Sequence, residues 1–107
     1  MTAGRPSPPR HLSTASKRWW RSIVEDYELE LDHLRLLQVA AESWDRAQQA
    51  REILEREGLT FVDRLGNPRK RPEVAVEENA RIAFIRALRE LDLHGEPEPD
   101  VRPPRRR

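Results

Sequence analysis

From Asp32 to Gly58 the chain reads DHLRLLQVAAESWDRAQQAREILEREG, with no proline and no internal glycine. Its apolar residues recur at the three-and-four spacing of one helix face. Leu37, Ala40, Ala41, Trp44, Ala47 and Leu54, with the aliphatic stem of Arg51, make up that face. Leu34, Leu36, Val39, Ala50 and Ile53 add a second flank, the pattern of a helix that meets more than one neighbour. Asp32 is the expected N-cap, and Gly58 suits the left-handed turn that ends a helix. At 1.5 Å per residue such a helix is roughly 37 Å long, more than a small lone core requires.

Two shorter helical patterns flank the long one. The first is predicted from Ser13 as N-cap to about Glu28, with Ala15, Trp19, Ile23 and Tyr27 in one row and Trp20 and Val24 beside it. Of the adjacent tryptophans, one belongs to the core and the other to an edge or a subunit contact. The last helix is predicted from Pro72, a residue suited to a first turn, to Leu91. Glu73, Glu77 and Glu78 sit near its positive end. Val76, Ala80, Ala83, Ala87 and Leu91 line one face with Phe84 and Leu88 beside them; Ile82 and Ile85 lie off it, toward the hairpin or another subunit. Between the second and third helices, Thr60–Val62 favours a strand and Gly66-Asn67-Pro68 signals a turn. The expected fold class is therefore mainly all-α. It is a three-helix protomer with a long central helix, a short β-hairpin or extended loop before the third helix, and disordered basic termini.

Composition sets the boundaries of the folded part. Of 107 residues, 36% are hydrophobic, against about 45–50% for a globular domain, and 36% are charged. Residues 1–11 form a Pro-rich arm and residues 94–107, HGEPEPDVRPPRRR, a Pro- and Arg-rich tail; both are expected to be disordered. What remains, residues 12–93, is one small helical domain whose core is marginal and gains from a partner subunit. The absence of cysteine excludes disulfides, thiolate metal sites and cysteine nucleophiles. No apolar run approaches a membrane span and the N-terminus lacks a signal-peptide pattern, so a soluble intracellular protein with no membrane contact is expected.

A net charge of +1 conceals local clusters. Lys17, Arg18 and Arg21 lie on the first helix, Arg69, Lys70 and Arg71 follow the hairpin turn with Arg64 nearby, and Arg105, Arg106 and Arg107 end the chain. Arg5 and Arg10 punctuate the N-terminal arm, while acids collect in Glu25–Asp32 and Glu73–Glu78. This distribution suits anionic contacts at chosen places rather than general polyanion binding.

Catalytic chemistry has no carrier. His11, His33 and His94 fall in separate segments, none with a second metal ligand at helical spacing. Neither GxxxxGK[ST] nor GxGxxG occurs. The many carboxylates read as solvated helix faces with ion pairs such as Glu52–Arg56. No enzyme activity, cofactor or metal is expected. Lys17, Arg18, Arg21, Arg69, Lys70 and Arg71 are the candidate phosphate contacts to a nucleic acid, each modest alone but additive when repeated around an oligomer.

Taken in order, these pieces resemble the small subunit of tailed-phage terminases. The resemblance rests on Leu12-Ser13 opening a helix with Lys17 and Trp20, and on a long helix from Leu31-Asp32 that holds Trp44 and Ala47–Gly58. It continues through Gly58-Leu59-Thr60-Phe61, Gly66-Asn67, Arg71-Pro72 and a closing Arg89-Glu90-Leu91, with "EREGLTFVDRLGNPRKRPEV" the most specific stretch. It spans about Pro9 to Leu93. It departs at Asp92, where similar proteins carry a glycine. The resemblance implies a non-catalytic packaging factor that forms a homo-oligomeric ring, binds double-stranded viral DNA and regulates the terminase large subunit in the host cytoplasm. By the same resemblance Arg105, Arg106 and Arg107 would be charge contacts to that large subunit. Beside it stand a helical adaptor that assembles without touching DNA, and a small helix-turn-helix regulator. The regulator is disfavoured by long helices and the lack of a short helix pair with a tight glycine turn.

Overall fold

A computed structural model describes residues 4–93 and 103–107. Its elements are α1 (Thr14–Asp26), β1 (Tyr27–Glu28), α2 (Leu31–Glu57), β2 (Thr60–Val62), β3 (Pro68–Lys70), α3 (Pro72–Leu91) and β4 (Arg105–Arg106). The protomer is mainly α, with a long central helix and a short hairpin before α3, as the periodicity predicts.

Helix α2 is capped at Glu30, ahead of the expected Asp32. The backbone is still extended at Glu30, whose N–H donates to His33 Nδ1 at 3.1 Å, so Glu30 is the N-cap and Asp32 falls inside the first turn. There Asp32 still lies at the positive end of the helix. The helix stops at Gly58, where φ is +86° and the N–H returns to the Leu54 carbonyl at 2.8 Å.

Helices α2 and α3 lie side by side and antiparallel, with Leu36 near Ala87 and Arg46 near Val76. Buried alanines line the two helices: Ala40, Ala41, Ala47 and Ala50 on α2, Ala80 and Ala87 on α3. Small side chains let helices approach closely, but each buries little apolar area. Val39, Trp44 and Val76, assigned to apolar faces by spacing, stay 37–47% exposed, and Ile82 and Ile85 are 41% and 54% exposed.

Helix α1 covers only the first half of α2. Ser16 reaches the Ala41 carbonyl and the Asp45 carboxylate, while Trp20 and Val24 join Leu12, Leu37, Ala41 and Leu91 in the core. The buried row is therefore Ser16–Trp20–Val24, one residue on from the Ala15–Trp19–Ile23 row that spacing suggests; Tyr27 is buried in both. Trp20 is the core tryptophan, and Trp19 is the edge one, tilted against Phe84 at 5.9 Å. Beyond Asp45, α2 climbs about 20 Å to Gly58 with only α3 and the hairpin for company. The result is a head of three helices and a projecting arm, 62 × 33 × 17 Å overall. The radius of gyration is 17.8 Å, against about 13 Å for a compact chain of this length.

At the arm's tip, Thr60, Phe61 and Val62 pair with Lys70, Arg69 and Pro68. Asp63 holds the turn by accepting from the N–H groups of Leu65 and Asn67, both at 2.9 Å, and Gly66 supplies a φ of +82°. At the head, Tyr27 and Glu28 pair with Arg106 and Arg105. The last five residues of the tail thus return to the end of α1, with Pro104 buried; residues 94–102 lie outside the described set. The N-terminal arm also has contacts, beginning at Arg5.

Candidate nucleic-acid interface

Lys17 and Arg21 are four residues apart in α1 and so share a face; Arg18 lies about 100° round the helix. The N-terminal arm completes their surroundings. Buried in the core, the Trp20 indole needs an acceptor for its N–H and finds the Pro6 carbonyl at 2.9 Å. Proline lacks a backbone donor, so Pro6, Pro8 and Pro9 let the arm lie here with few N–H groups to satisfy. Arg5, Arg10, Lys17 and Arg21 then border one surface depression of about 460 Å³, closed by Pro6, Pro8, Val24 and Glu25. Arg5 meets Glu25 at 3.7 Å, both largely exposed, a pairing too long and wet to remove the depression's positive character. Arg18 is exposed and lies outside the depression. Such a site offers charge and guanidinium donors to phosphate oxygens and nothing arranged to read base edges.

The hairpin cations behave differently. Arg69 donates from Nε to Asp63 Oδ2 at 2.8 Å. That bond, reinforced by the Asn67 and Leu65 N–H groups against a small desolvation cost, holds the Asp63 carboxyl below its ordinary range. Arg71 lies 5.7 Å from the centre of the Phe61 ring, its backbone N–H bonded to the Leu59 carbonyl at 2.9 Å. Its Nε is buried with no acceptor among the described residues. Two of the three clustered cations therefore hold the hairpin together, which leaves Lys70 and Arg64 exposed at the tip. The α1 and hairpin clusters are not brought together: one is on the head and the other at the end of the arm.

The C-terminal arginines are engaged too. Arg106 stacks 5.4 Å from the Tyr27 ring centre and donates to its hydroxyl at 3.0 Å. Arg107 gives its backbone N–H to the Asp26 carbonyl at 2.6 Å and its Nε to the Val24 carbonyl at 2.8 Å. These are carbonyls of the last turn of α1, which lack partners within the helix.

Sequence patterns miss two features. Asp45 ties α1 to α2 through Ser13 and Ser16; an acid in a polar helix position carries no signal that it serves another helix. Phe84 packs between Trp19 and Trp44, with ring centres 5.9 and 5.1 Å away, and the three rings border a half-open apolar cavity of about 360 Å³. The aromatic residues stand out in the sequence, but their meeting depends on the α1–α3 approach.

Among the described residues, no group of three or more His, Asp or Glu is placed to hold a metal. No described helix is long and apolar enough to cross a membrane. No curated protein and no solved structure matches the chain. A family model described as the phage terminase small subunit matches residues 16–104, which takes in all three helices from Ser16, the hairpin and the start of the returning tail. The chain belongs to the phage terminase small-subunit family, and its role lies in packaging phage DNA.

Proposed function

We propose that this chain is the non-catalytic, DNA-binding subunit of a packaging terminase. It assembles into a homo-oligomeric ring in the host cytoplasm, holds double-stranded viral DNA, and regulates the large subunit that carries the ATPase and nuclease. The observation that supports DNA binding is the depression in which Arg5, Arg10, Lys17 and Arg21 converge against one acid, Glu25. Assembly is supported by the elongated protomer and by the exposed Val39, Trp44, Ile82 and Ile85 on α2 and α3.

The deciding experiment is a mobility shift across a salt series with the Lys17→Ala/Arg21→Ala variant. Affinity is expected to drop on every duplex sequence, and the log–log salt slope to flatten by about 0.9 for each phosphate that is no longer neutralised. Parental affinity and slope in that variant would remove the α1 site. A helical adaptor that assembles without DNA is the second reading. Its support is the internal engagement of Arg69 and Arg71, which takes two candidate phosphate ligands out of play.

A further inference from the structure

The acidic stretch Glu25–Asp32 sits at the end of α1, next to the cationic depression, because Val24 and Glu25 border both. A duplex lying along α1 past Lys17 and Arg21 meets Glu25, Asp26 and Glu28 within the following two turns. Bare, that end of the helix repels phosphate twice over: by its carboxylates and by the negative end of the helix dipole.

The returning strand changes that surface. Arg105 pairs opposite Glu28, Arg106 covers Tyr27, and Arg107 caps the Asp26 and Val24 carbonyls. Arg107 is anchored at Val24, one turn beyond Arg21 in α1 and itself a wall of the depression. All three arginines remain exposed. Docking uses one guanidinium N–H of Arg107, and an arginine has five.

We infer that the docked C-terminal strand is part of the DNA interface: Arg107, with Arg106 beside it, extends the Lys17–Arg21 row as a further phosphate-binding site. The inference rests on the α1 DNA-binding reading above and differs from the resemblance-based assignment of these arginines to the large subunit. The strand serves the duplex in two ways, by supplying cations beside the exposed Glu25, Asp26 and Glu28 and by occupying the Asp26 and Val24 carbonyls at the negative end of the helix. Position matters as well as charge. Held by the Tyr27–Glu28 pairing, the guanidinium groups are ordered before DNA arrives, so less entropy is lost on binding than with a free tail.

Two measurements on the full chain test this. The first needs no DNA: trimming of C-terminal arginine by a carboxypeptidase specific for basic residues. The docked strand is expected to be trimmed slowly, and Tyr27→Phe, which removes the Arg106 acceptor, to speed trimming roughly fivefold. Glu28→Lys, which sets like charge opposite Arg105, should do the same. Equal trimming of the parent and both variants overturns the inference, since the strand is then not held. The second is the salt-series mobility shift with Arg107→Ala. A slope flattened by about 0.9 and lower affinity on all duplexes support the site. If Arg107→Ala binds as the parent while Lys17→Ala/Arg21→Ala is weakened, the α1 reading stands and this inference falls. Removal of residues 103–107 that leaves DNA affinity intact but lowers stimulation of the large subunit likewise overturns it.

Discussion

Asp45, midway along α2, holds the first residue outside α1: its carboxylate accepts the Ser13 N–H at 2.8 Å and the Ser13 hydroxyl at 2.6 Å. Ser13 in turn accepts the Ser16 N–H at 3.1 Å, and Ser16 donates its hydroxyl to the same Asp45 at 2.6 Å. A cap that normally ends one helix is here bonded to a second, so capping and tertiary packing are one interaction.

Asp45→Ala is expected to lower stability by about 1–2 kcal/mol, and Ser13→Ala by about 1 kcal/mol. The double variant should lose less than the sum, because each change removes the same bonds. Denaturant midpoints of the three variants check this. Acid should act on the same spot. Partial burial pushes the Asp45 carboxyl up, but the bonds from Ser13 and Ser16 and the nearby His11 outweigh it and hold it below its ordinary value. With the folded value depressed, the contribution is complete above the unfolded value of about 3.9 and is lost as pH falls through the folded one. Asp45→Asn should therefore flatten the acid limb of the stability profile.

Asp92 ends α3 in the left-handed region, with φ 49° and ψ 51°, where a side chain is disfavoured and an acid also faces the negative helix end. Glycine, with no Cβ, would take this conformation without that penalty. Asp92→Gly is expected to stabilise the protein by roughly 0.5–1 kcal/mol, read as a higher denaturant midpoint. An unchanged or lower midpoint would show that the aspartate makes a compensating contact.

In the hairpin, Arg69→Ala should let the Asp63 carboxyl rise toward its ordinary range, visible in an NMR titration of its side chain. Replacing Arg69, Lys70 and Arg71 together by alanine should loosen the tip, seen as faster amide exchange at Phe61, while reducing DNA affinity less than Lys17→Ala/Arg21→Ala. A larger drop from the hairpin variant would move the principal DNA contact to the tip.

The exposed isoleucines of α3 bear on assembly. Light scattering at micromolar concentration is expected to give a mass well above a dimer for the parent, and Ile82→Asp/Ile85→Asp a lower mass with the helical signal intact. A monomeric parent would contradict the ring.

How much of this is legible in the sequence follows from how local each cause is. The span of α3 and the Gly58 stop are written in neighbouring residues, in Pro72 and in the glycine, and both are found where the pattern sets them. Capping preference misplaces the start of α2 because Asp32 is the stronger capping type, yet Glu30 has the extended backbone and the His33 acceptor. In α1 the spacing puts the buried row off by one because Ser16 looks like a surface residue; it is buried because Asp45 receives its hydroxyl. The strand Arg105–Arg106 has no local signature at all, since Arg106 finds its partner 79 positions away in Tyr27. The Lys17–Arg21 pair is visible by spacing, while the arm that turns it into a depression depends on one bond from Trp20 to Pro6.

The alanines between α2 and α3 have a mechanical meaning. In the projecting part the buried residues of α2 are Ala47 and Ala50, with Ile53, Leu54 and Val74 half-buried, so little apolar area locks the two helices, and a tilt of about 10° carries the tip about 3.5 Å over an arm of about 20 Å. If copies meet through that arm, the angle between neighbours is set inside each subunit. Circumference then becomes a property of the seam: a buried change such as Ala47→Val would shift the subunit count seen by native mass spectrometry without altering a single residue that touches a neighbour.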